Sequence, residues 1–138
     1  FCAVHPFDPH CLEELERGRS DLGLKGVKLG ANYQNYDPLE PRALAVYEYA
    51  QRHSLPIMFH KGTSPVRDAP IRYAHPMIID EIAMRYPQLR MVLAHMGHPW
   101  QVDTCVVIRK HPHVYADLSA NFYRPFSGSQ LTLNTQFF

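Results

Sequence analysis

Short apolar runs alternate with amphipathic stretches along the chain, and this pattern predicts a repeated order of strand and helix. The apolar runs indicate five buried strands, at residues 1–4, 24–30, 55–61, 89–94 and 114–118. Apolar residues at helical spacing between them predict helices that begin near residues 9, 41, 76 and 100 and end near 18, 52, 86 and 111. This order favours a parallel sheet with right-handed crossover connections.

Two architectures fit five parallel strands. One is an open, doubly wound sheet of flavodoxin type, and the other is a section of an eight-stranded barrel, which needs about 250 residues. The length of 138 residues favours the open sheet. No predicted strand is followed by a glycine-rich phosphate loop, however, and histidines stand at the ends of successive strands. We therefore predict an α/β fold that is a partial (β/α)8 TIM barrel.

Two strands end in a histidine that is followed closely by a glycine. His60 follows the apolar residues 57–59 and precedes Gly62, and His95 follows residues 91–94 and precedes Gly97. In parallel α/β folds this edge of the sheet is where ligands bind. A catalytic metal site takes three protein ligands and leaves one position open for water. We predict that His60 is a metal ligand and that His95 is a second ligand or a general acid and base. A core histidine bonded to a backbone carbonyl is the alternative for each.

Four further residues stand near predicted strand ends. Asp117 lies in an apolar strand, where a carboxylate needs a partner. We expect it to hold a residue of the site in position rather than to be catalytic itself. Lys28 and Lys61 could each bind a substrate carboxylate, and Lys28 could instead form a carbamate bridge between two metals or simply mark the strand rim. His98 is expected to be a loop residue with a lesser chance of substrate contact. The other substrate-binding residues are unknown from the sequence.

The composition narrows the class of protein. The chain has 46% hydrophobic and 20% charged residues, which is typical of one soluble globular domain. Its net charge of +1 and the absence of a Lys/Arg stripe argue against nucleic-acid and membrane partners, so a small-molecule substrate is expected and a homo-oligomer stays open. Three separated cysteines and the lack of an apolar span or leader predict a reduced, cytoplasmic protein. Because the chain opens on Phe1 inside a strand, we expect an N-terminally incomplete sequence.

Five segments follow one another in a characteristic order and spacing: His5-Pro6 with Asp8-Pro9, Gly26-Val27-Lys28-Leu29, Pro56-Ile57-Met58-Phe59-His60, Tyr86-Pro87-Gln88-Leu89-Arg90 and Leu93-Ala94-His95-Met96-Gly97. Together they resemble the amidohydrolase-related (amidohydrolase 2) family, in particular the branch that includes aminocarboxymuconate semialdehyde decarboxylase. The resemblance covers residues 1–120, which we take as a partial barrel domain, and leaves 121–138 as an unassigned tail or truncation artefact.

This resemblance implies a metal-dependent (β/α)8 barrel that hydrolyses C–N or C–O bonds or removes carboxylates from small, often aromatic, acids. It identifies His60 with the metal-binding histidine of the fifth barrel strand, and His95 with the sixth-strand histidine that acts near the metal-bound water. The family's first-strand H-x-H pair and last-strand aspartate have no counterpart here, which fits a chain that covers roughly the third to seventh strands. His98 stands where the family commonly has a glycine.

The leading functional hypothesis is a hydrolase in which a divalent metal, by default zinc, activates water for attack on a small organic substrate. A metal-dependent decarboxylase of small aromatic or unsaturated acids is the alternative within the same family. The third possibility is a non-catalytic fragment without a complete metal site. On any of these readings we expect the 138-residue chain alone to be inactive, with its remaining metal ligands outside the sequence.

Overall fold

Five short parallel strands form one sheet in the computed structural model, which describes residues 1–120. The strands are β1 (Cys2–Ala3), β2 (Val27–Leu29), β3 (Ile57–Phe59), β4 (Met91–Leu93) and β5 (Val114–Ala116). Each lies inside a predicted apolar run and is shorter than that run. The expectations for residues 121–138, an unassigned tail or truncation artefact, lie outside the described residues.

The strands follow one another across the sheet in the order of the sequence. Each pairs in parallel with the next, in a register that aligns Leu29, Phe59, Leu93 and Ala116. A doubly wound sheet reverses its strand order at a switch point, and the described sheet has no such reversal. A right-handed crossover repeated without reversal is the arrangement of a (β/α) barrel. The sheet order therefore confirms the partial barrel and excludes the flavodoxin-type alternative.

Four helices connect the strands: α1 (Cys11–Ser20), α2 (Pro41–Arg52), α3 (Ile78–Arg85) and α4 (Gln101–Lys110). The predicted bounds of α2 are correct, because Pro41 fixes its first turn. The predicted end of α1 at Gly18 is wrong, since the helix continues to Ser20 with Gly18 buried inside it. A β-carbon at Gly18 would lie 3.1 Å from the sulfur of Cys2, so glycine there allows close packing of α1 on β1.

The two faces of the sheet differ in burial. One face carries Val27, Leu29, Ile57, Phe59, Met91 and Leu93, which are at most 3% exposed and form the core with the apolar sides of the helices. Side chains of a strand alternate between faces, so the intervening residues share the opposite face. That row consists of Ala3, Lys28, Met58, Val92 and Tyr115. It is partly or largely exposed in residues 1–120, which supply five strands where a complete barrel of this type has eight.

No helix among residues 1–120 is both long enough and apolar enough to cross a lipid bilayer.

Candidate active site

His60 follows β3 directly and lies on the exposed face of the sheet. Its neighbour Phe59 is part of the core and Lys61 is 1% exposed, so alternation places His60 on the opposite side from both. The His60 amide donates to the carbonyl of Leu29 at 2.7 Å, which extends the β2–β3 pairing by one residue. The backbone position of the imidazole is therefore fixed by the sheet.

One nitrogen of the His60 ring is available to a ligand. Nε2 is buried and has no hydrogen-bond partner in the structure. The pKa of His60 is lowered to about 4, chiefly by burial; the neighbouring His95, Lys28 and Lys61 also lower it, and the charge of Asp117 opposes them. The ring is thus neutral at physiological pH, and a buried neutral nitrogen without a partner is the state in which histidine binds a metal ion.

His95 lies beside His60, with ring centroids 5.0 Å apart. It belongs to a tight turn, Ala94–Gly97, that follows β4, and the backbone of His95 and Met96 has positive φ angles of 63° and 50°. Residues with side chains adopt this conformation rarely, and such strained residues concentrate at functional sites. The strain turns the chain sharply after the strand end and presents the His95 ring to His60.

Asp117 holds this turn in place from the end of β5. Its Oδ1 accepts a hydrogen bond from the His95 amide at 3.0 Å, and its carbonyl accepts one from the Met96 amide at 2.9 Å. Burial favours a higher pKa for Asp117, but hydrogen bonds from Ser119 and from the His95 amide together lower it. A charged carboxylate therefore anchors the strained turn, which agrees with the supporting position predicted for Asp117.

A short chain of hydrogen bonds orients the His95 ring. The hydroxyl of Ser119 donates to Oδ1 of Asp117 and lies 2.8 Å from Nδ1 of His95. Because the hydroxyl proton points to the carboxylate, its oxygen accepts from Nδ1–H, and the Ser119 carbonyl lies 3.1 Å from the same nitrogen. This network places the proton on Nδ1 and makes Nε2 the basic nitrogen of His95.

Tyr33 covers His60 from the loop after β2. The two ring centroids are 4.6 Å apart, and the tyrosine is 49% exposed. Gln34 fixes this loop, since its side-chain amide donates to the Val4 carbonyl at 2.9 Å and its backbone carbonyl lies 3.1 Å from Nε2 of His5. An exposed aromatic ring against the candidate ligand forms one wall of the site. Sequence analysis did not single out Tyr33.

The two lysines near the site have different surroundings. Lys61 is 1% exposed, and its Nζ donates to the carbonyl of Tyr73 at 3.0 Å. Burial lowers the pKa of Lys61 to about 7. Lys28 lies on the same sheet face as His60, and burial lowers its pKa while the charge of Asp117 opposes that change. Lys61 thus ties the strand end to the following loop, whereas Lys28 faces the site.

The loops after β3 and β4 are joined to each other. The Thr63 amide donates to the carbonyl of His98 at 2.8 Å, and the Gly62 amide donates to the carbonyl of Ala74 at 3.0 Å. The Nδ1 atom of His98 lies 2.7 Å from the side-chain nitrogen Nε2 of Gln101. His98 is therefore a loop residue, as expected, and its backbone helps to hold the wall beside His60 and His95.

One of the described side chains has the surroundings that a metal ligand needs. Nε2 of His60 fits one ligand position on the observation that it is buried, neutral and without a partner. Among residues 1–120, no group of three or more His, Cys, Asp or Glu side chains is arranged to hold a metal ion. Asp117 is engaged by its hydrogen bonds to His95 and Ser119. The roles of His60 as ligand and His95 as catalyst stay predictions.

The model of the amidohydrolase family matches residues 1–132. No curated protein matches the chain.

Several solved structures share the fold. An uncharacterised TIM-barrel protein from Bordetella bronchiseptica is 19% identical with a TM-score of 0.78, over 96% of this chain and 47% of that protein. 4-Oxalomesaconate hydratase from Rhodopseudomonas palustris is 19% identical with a TM-score of 0.61, over 94% of this chain and 43% of that protein. Dihydroorotase from Campylobacter jejuni is 17% identical with a TM-score of 0.55, over 84% of this chain and 33% of that protein. The chain spans less than half the length of each protein, and at these identities the likeness establishes the barrel fold alone.

Proposed function

This chain belongs to the amidohydrolase family, and on that premise we propose that it contributes the His60–His95 half of the active site of a metal-dependent hydrolase. The proposed substrate is a small organic molecule, and the remaining metal ligands would come from further strands of a complete barrel. Zinc is the metal we propose, because histidine nitrogen suits it and it leaves a coordination position open in catalytic sites.

The observation that carries this proposal is the pairing of two histidines with different surroundings. Nε2 of His60 is buried and without a partner, whereas His95 is oriented by Ser119 with its ring centroid 5.0 Å from that of His60. A metal ligand needs a neutral, desolvated nitrogen, and a proton carrier needs an oriented ring with one basic nitrogen. The two rings meet these separate requirements side by side.

A divalent metal at such a site supplies Lewis acidity and lowers the pKa of water to about 7. His60 would hold it through Nε2, and Tyr33, 4.6 Å from the ring, would limit the access of bulk solvent to that side. Hydrolysis of an amide or ester adds water across the C–N or C–O bond, so one proton must leave the water and one must reach the leaving group.

His95 is placed to carry that proton. Its Nδ1–H donates to Ser119, so Nε2 accepts a proton from the attacking water and then delivers it to the departing nitrogen or oxygen. The imidazolium formed in between is stabilised through Ser119 by the charge of Asp117. The lowered pKa of Asp117 keeps that carboxylate ionised at neutral pH.

The test measures metal content and hydrolysis together in the full-length protein that carries this chain. Elemental analysis follows the metal, and activity is screened on amides, cyclic imides and lactones. His60→Ala is expected to lose both metal and activity. His95→Ala is expected to keep the metal and to lose activity by about 10²-fold or more. His10→Ala changes an exposed histidine before α1 and serves as the matched control.

Two results would contradict the proposal. Full metal content and full activity in His60→Ala would remove the metal assignment. Release of CO2 without hydrolysis of any screened substrate would show that the reaction is a decarboxylation instead.

A further inference from the structure

A cavity of about 550 Å³ lies in the helical layer, between α1 and α2. It is lined by the segment 6–13, which leads from β1 into α1, and by Arg42, Ala45 and Val46 of α2. Ligand cavities in proteins typically have about 300–1,000 Å³. A complete barrel would add strands beside β1 and β5 and helices beside α1 and α4, so no added helix would come between α1 and α2. Both walls of this α1–α2 cavity are therefore present among residues 1–120.

Most of the lining is apolar. Cys11 and Val46 are 5% and 1% exposed and belong to the core, whereas Phe7 and Leu12 remain 36% and 44% exposed. Apolar side chains that line a cavity and keep this much exposed surface lose contact with water when an apolar group enters. The cavity therefore suits a ligand with an apolar part.

The Phe7 wall is already ordered. The Phe7 amide donates to Nδ1 of His5 at 3.1 Å, and the Phe7 ring packs with its centroid 6.0 Å from that of Tyr36. The guanidinium carbon of Arg42 lies 4.9 Å from the centroid of the Phe7 ring. Because these contacts fix both side chains, a ligand would lose little binding free energy to the ordering of this wall.

The charged groups of the cavity have opposite signs on its two sides. On the α2 side, the Arg42 guanidinium makes no hydrogen bond or ion pair among residues 1–120. On the α1 side, Oδ1 of Asp8 accepts from the His10 amide at 2.8 Å, and Oε2 of Glu13 lies 3.0 Å from Nδ1 of His10. The second oxygen of each carboxylate has no partner within that range. A ligand with one charge would be repelled from one side, whereas a ligand with both charges is attracted to each.

We propose that the α1–α2 cavity binds a free amino acid with an aliphatic side chain. The carboxylate of the ligand pairs with the Arg42 guanidinium, whose fork of N–H donors suits it, and the ammonium group pairs with Asp8 and Glu13. The side chain packs against Leu12 and Val46. None of the lining residues belongs to the strand ends that hold the two histidines, so this site goes beyond the proposed hydrolase function and does not depend on it.

The experiment titrates L-leucine into the full-length protein that carries this chain and follows binding by ligand-observed NMR. Two analogues each lack one charge: L-leucinol keeps the ammonium group without the carboxylate, and 4-methylpentanoate keeps the carboxylate without the ammonium group. Leucine is expected to bind with a Kd of about 1 mM or below. It should bind about tenfold or more tightly than either analogue, because each analogue loses one charged hydrogen-bonded contact.

Variants at exposed positions assign the two preferences to their residues. Arg42→Gln should remove the preference for leucine over leucinol, and the double variant Asp8→Asn, Glu13→Gln should remove the preference over 4-methylpentanoate. The asparagine keeps an acceptor for the amide that Asp8 now binds. Arg52→Gln is the matched control, since Arg52 is an exposed arginine of the same helix outside the cavity, and it should bind leucine as the unmodified protein does.

Three results would overturn the inference. The first is the absence of leucine binding at about 10 mM, or equal binding of leucine and both analogues, in the unmodified protein. This comparison needs no variant and makes no assumption about folding. The second is leucine binding in Arg42→Gln that matches the Arg52→Gln control. The third is loss of leucine binding in a folded His60→Ala, since the ligand would then occupy the candidate active site; unchanged binding in that variant is the expected result.

Discussion

Gly62 lies where the loops after β3 and β4 meet, and replacing it with alanine gives a sharp test of that junction. Its φ angle is 109°, a conformation that residues with a side chain rarely adopt. A β-carbon there would lie 2.7 Å from the carbonyl oxygen of His98 and 3.1 Å from its nitrogen. Both are backbone atoms, so the overlap cannot be relieved by rotating a side chain.

The size of the effect follows from three contributions. Backbone strain at this φ costs about 2 kcal/mol. Overlap with the His98 backbone adds about 1–2 kcal/mol, as for an overpacked core. Alanine also lowers the conformational entropy of the unfolded chain, and this offsets the destabilisation by about 0.4–1 kcal/mol. We therefore expect Gly62→Ala to lower the free energy of unfolding by about 2–3.5 kcal/mol, measured by urea denaturation.

Gly23→Ala is the matched control. Gly23 has a φ angle of 63°, and a β-carbon there would meet nothing within 4 Å. Strain of about 1 kcal/mol is largely offset by the entropy of the unfolded chain, so the net change should stay within about 0.5 kcal/mol. Equal destabilisation by the two variants would show that the contact between Gly62 and His98 does not constrain the fold.

Substitutions at two further positions test the carboxylates. Asp117→Ala should lower the free energy of unfolding by about 2–3 kcal/mol, because the amide of His95 loses a charged acceptor, whereas Asp117→Asn should cost less. Asp80 lies 2.7 Å from Nζ of Lys110 and 2.6 Å from Nε2 of His111, and hydrogen bonds from these two groups lower its pKa. Its stabilising effect is therefore present above about pH 4 and lost as the pH falls through the folded-state pKa, so Asp80→Asn should reduce the acid sensitivity of urea unfolding.

Controls for these variants come from the same side chains. If Asp117→Asn destabilises as much as Asp117→Ala, the carboxylate charge rather than the acceptor position holds the turn. If Asp80→Asn leaves the slope of stability against pH unchanged between pH 5 and 3, the contacts of Asp80 with α4 contribute nothing to acid unfolding.

The sheet and its histidines could be predicted from the sequence because the relevant signals are local. Residues 57–59 and 91–93 are unbroken apolar runs, and each is followed within a few residues by a histidine and a glycine. In a parallel sheet the ends of neighbouring strands share one edge, so His60 and His95 had to lie near each other once the strands paired. The bounds of α2 could also be predicted from the sequence, because Pro41 restricts where a helix can begin.

The detailed form of the site could not be predicted because it depends on contacts that are distant in sequence. His95 and Met96 adopt positive φ angles although neither is glycine, and their amides donate hydrogen bonds to Asp117, which lies 22 residues beyond His95. Ser119 lies 24 residues from His95. Tyr33 reaches His60 because Gln34 fixes its loop on the Val4 carbonyl, 30 residues away. None of these pairings leaves a periodic signal in the sequence.

Alternation along the strands separates the residues that stabilise this chain from those that serve its site. Val27, Leu29, Ile57 and Phe59 point to the helices and are at most 3% exposed, so they bury apolar surface whether or not a substrate is present. Lys28 and His60 point the other way and have no such partner in the described residues, since Lys28 makes no ion pair and Nε2 of His60 no hydrogen bond. A closed barrel would enclose this second face, where a desolvated imidazole and an unpaired ammonium need a partner from another strand, a bound metal or an anion. Substitutions in the first row should therefore act on unfolding, and substitutions in the second on binding.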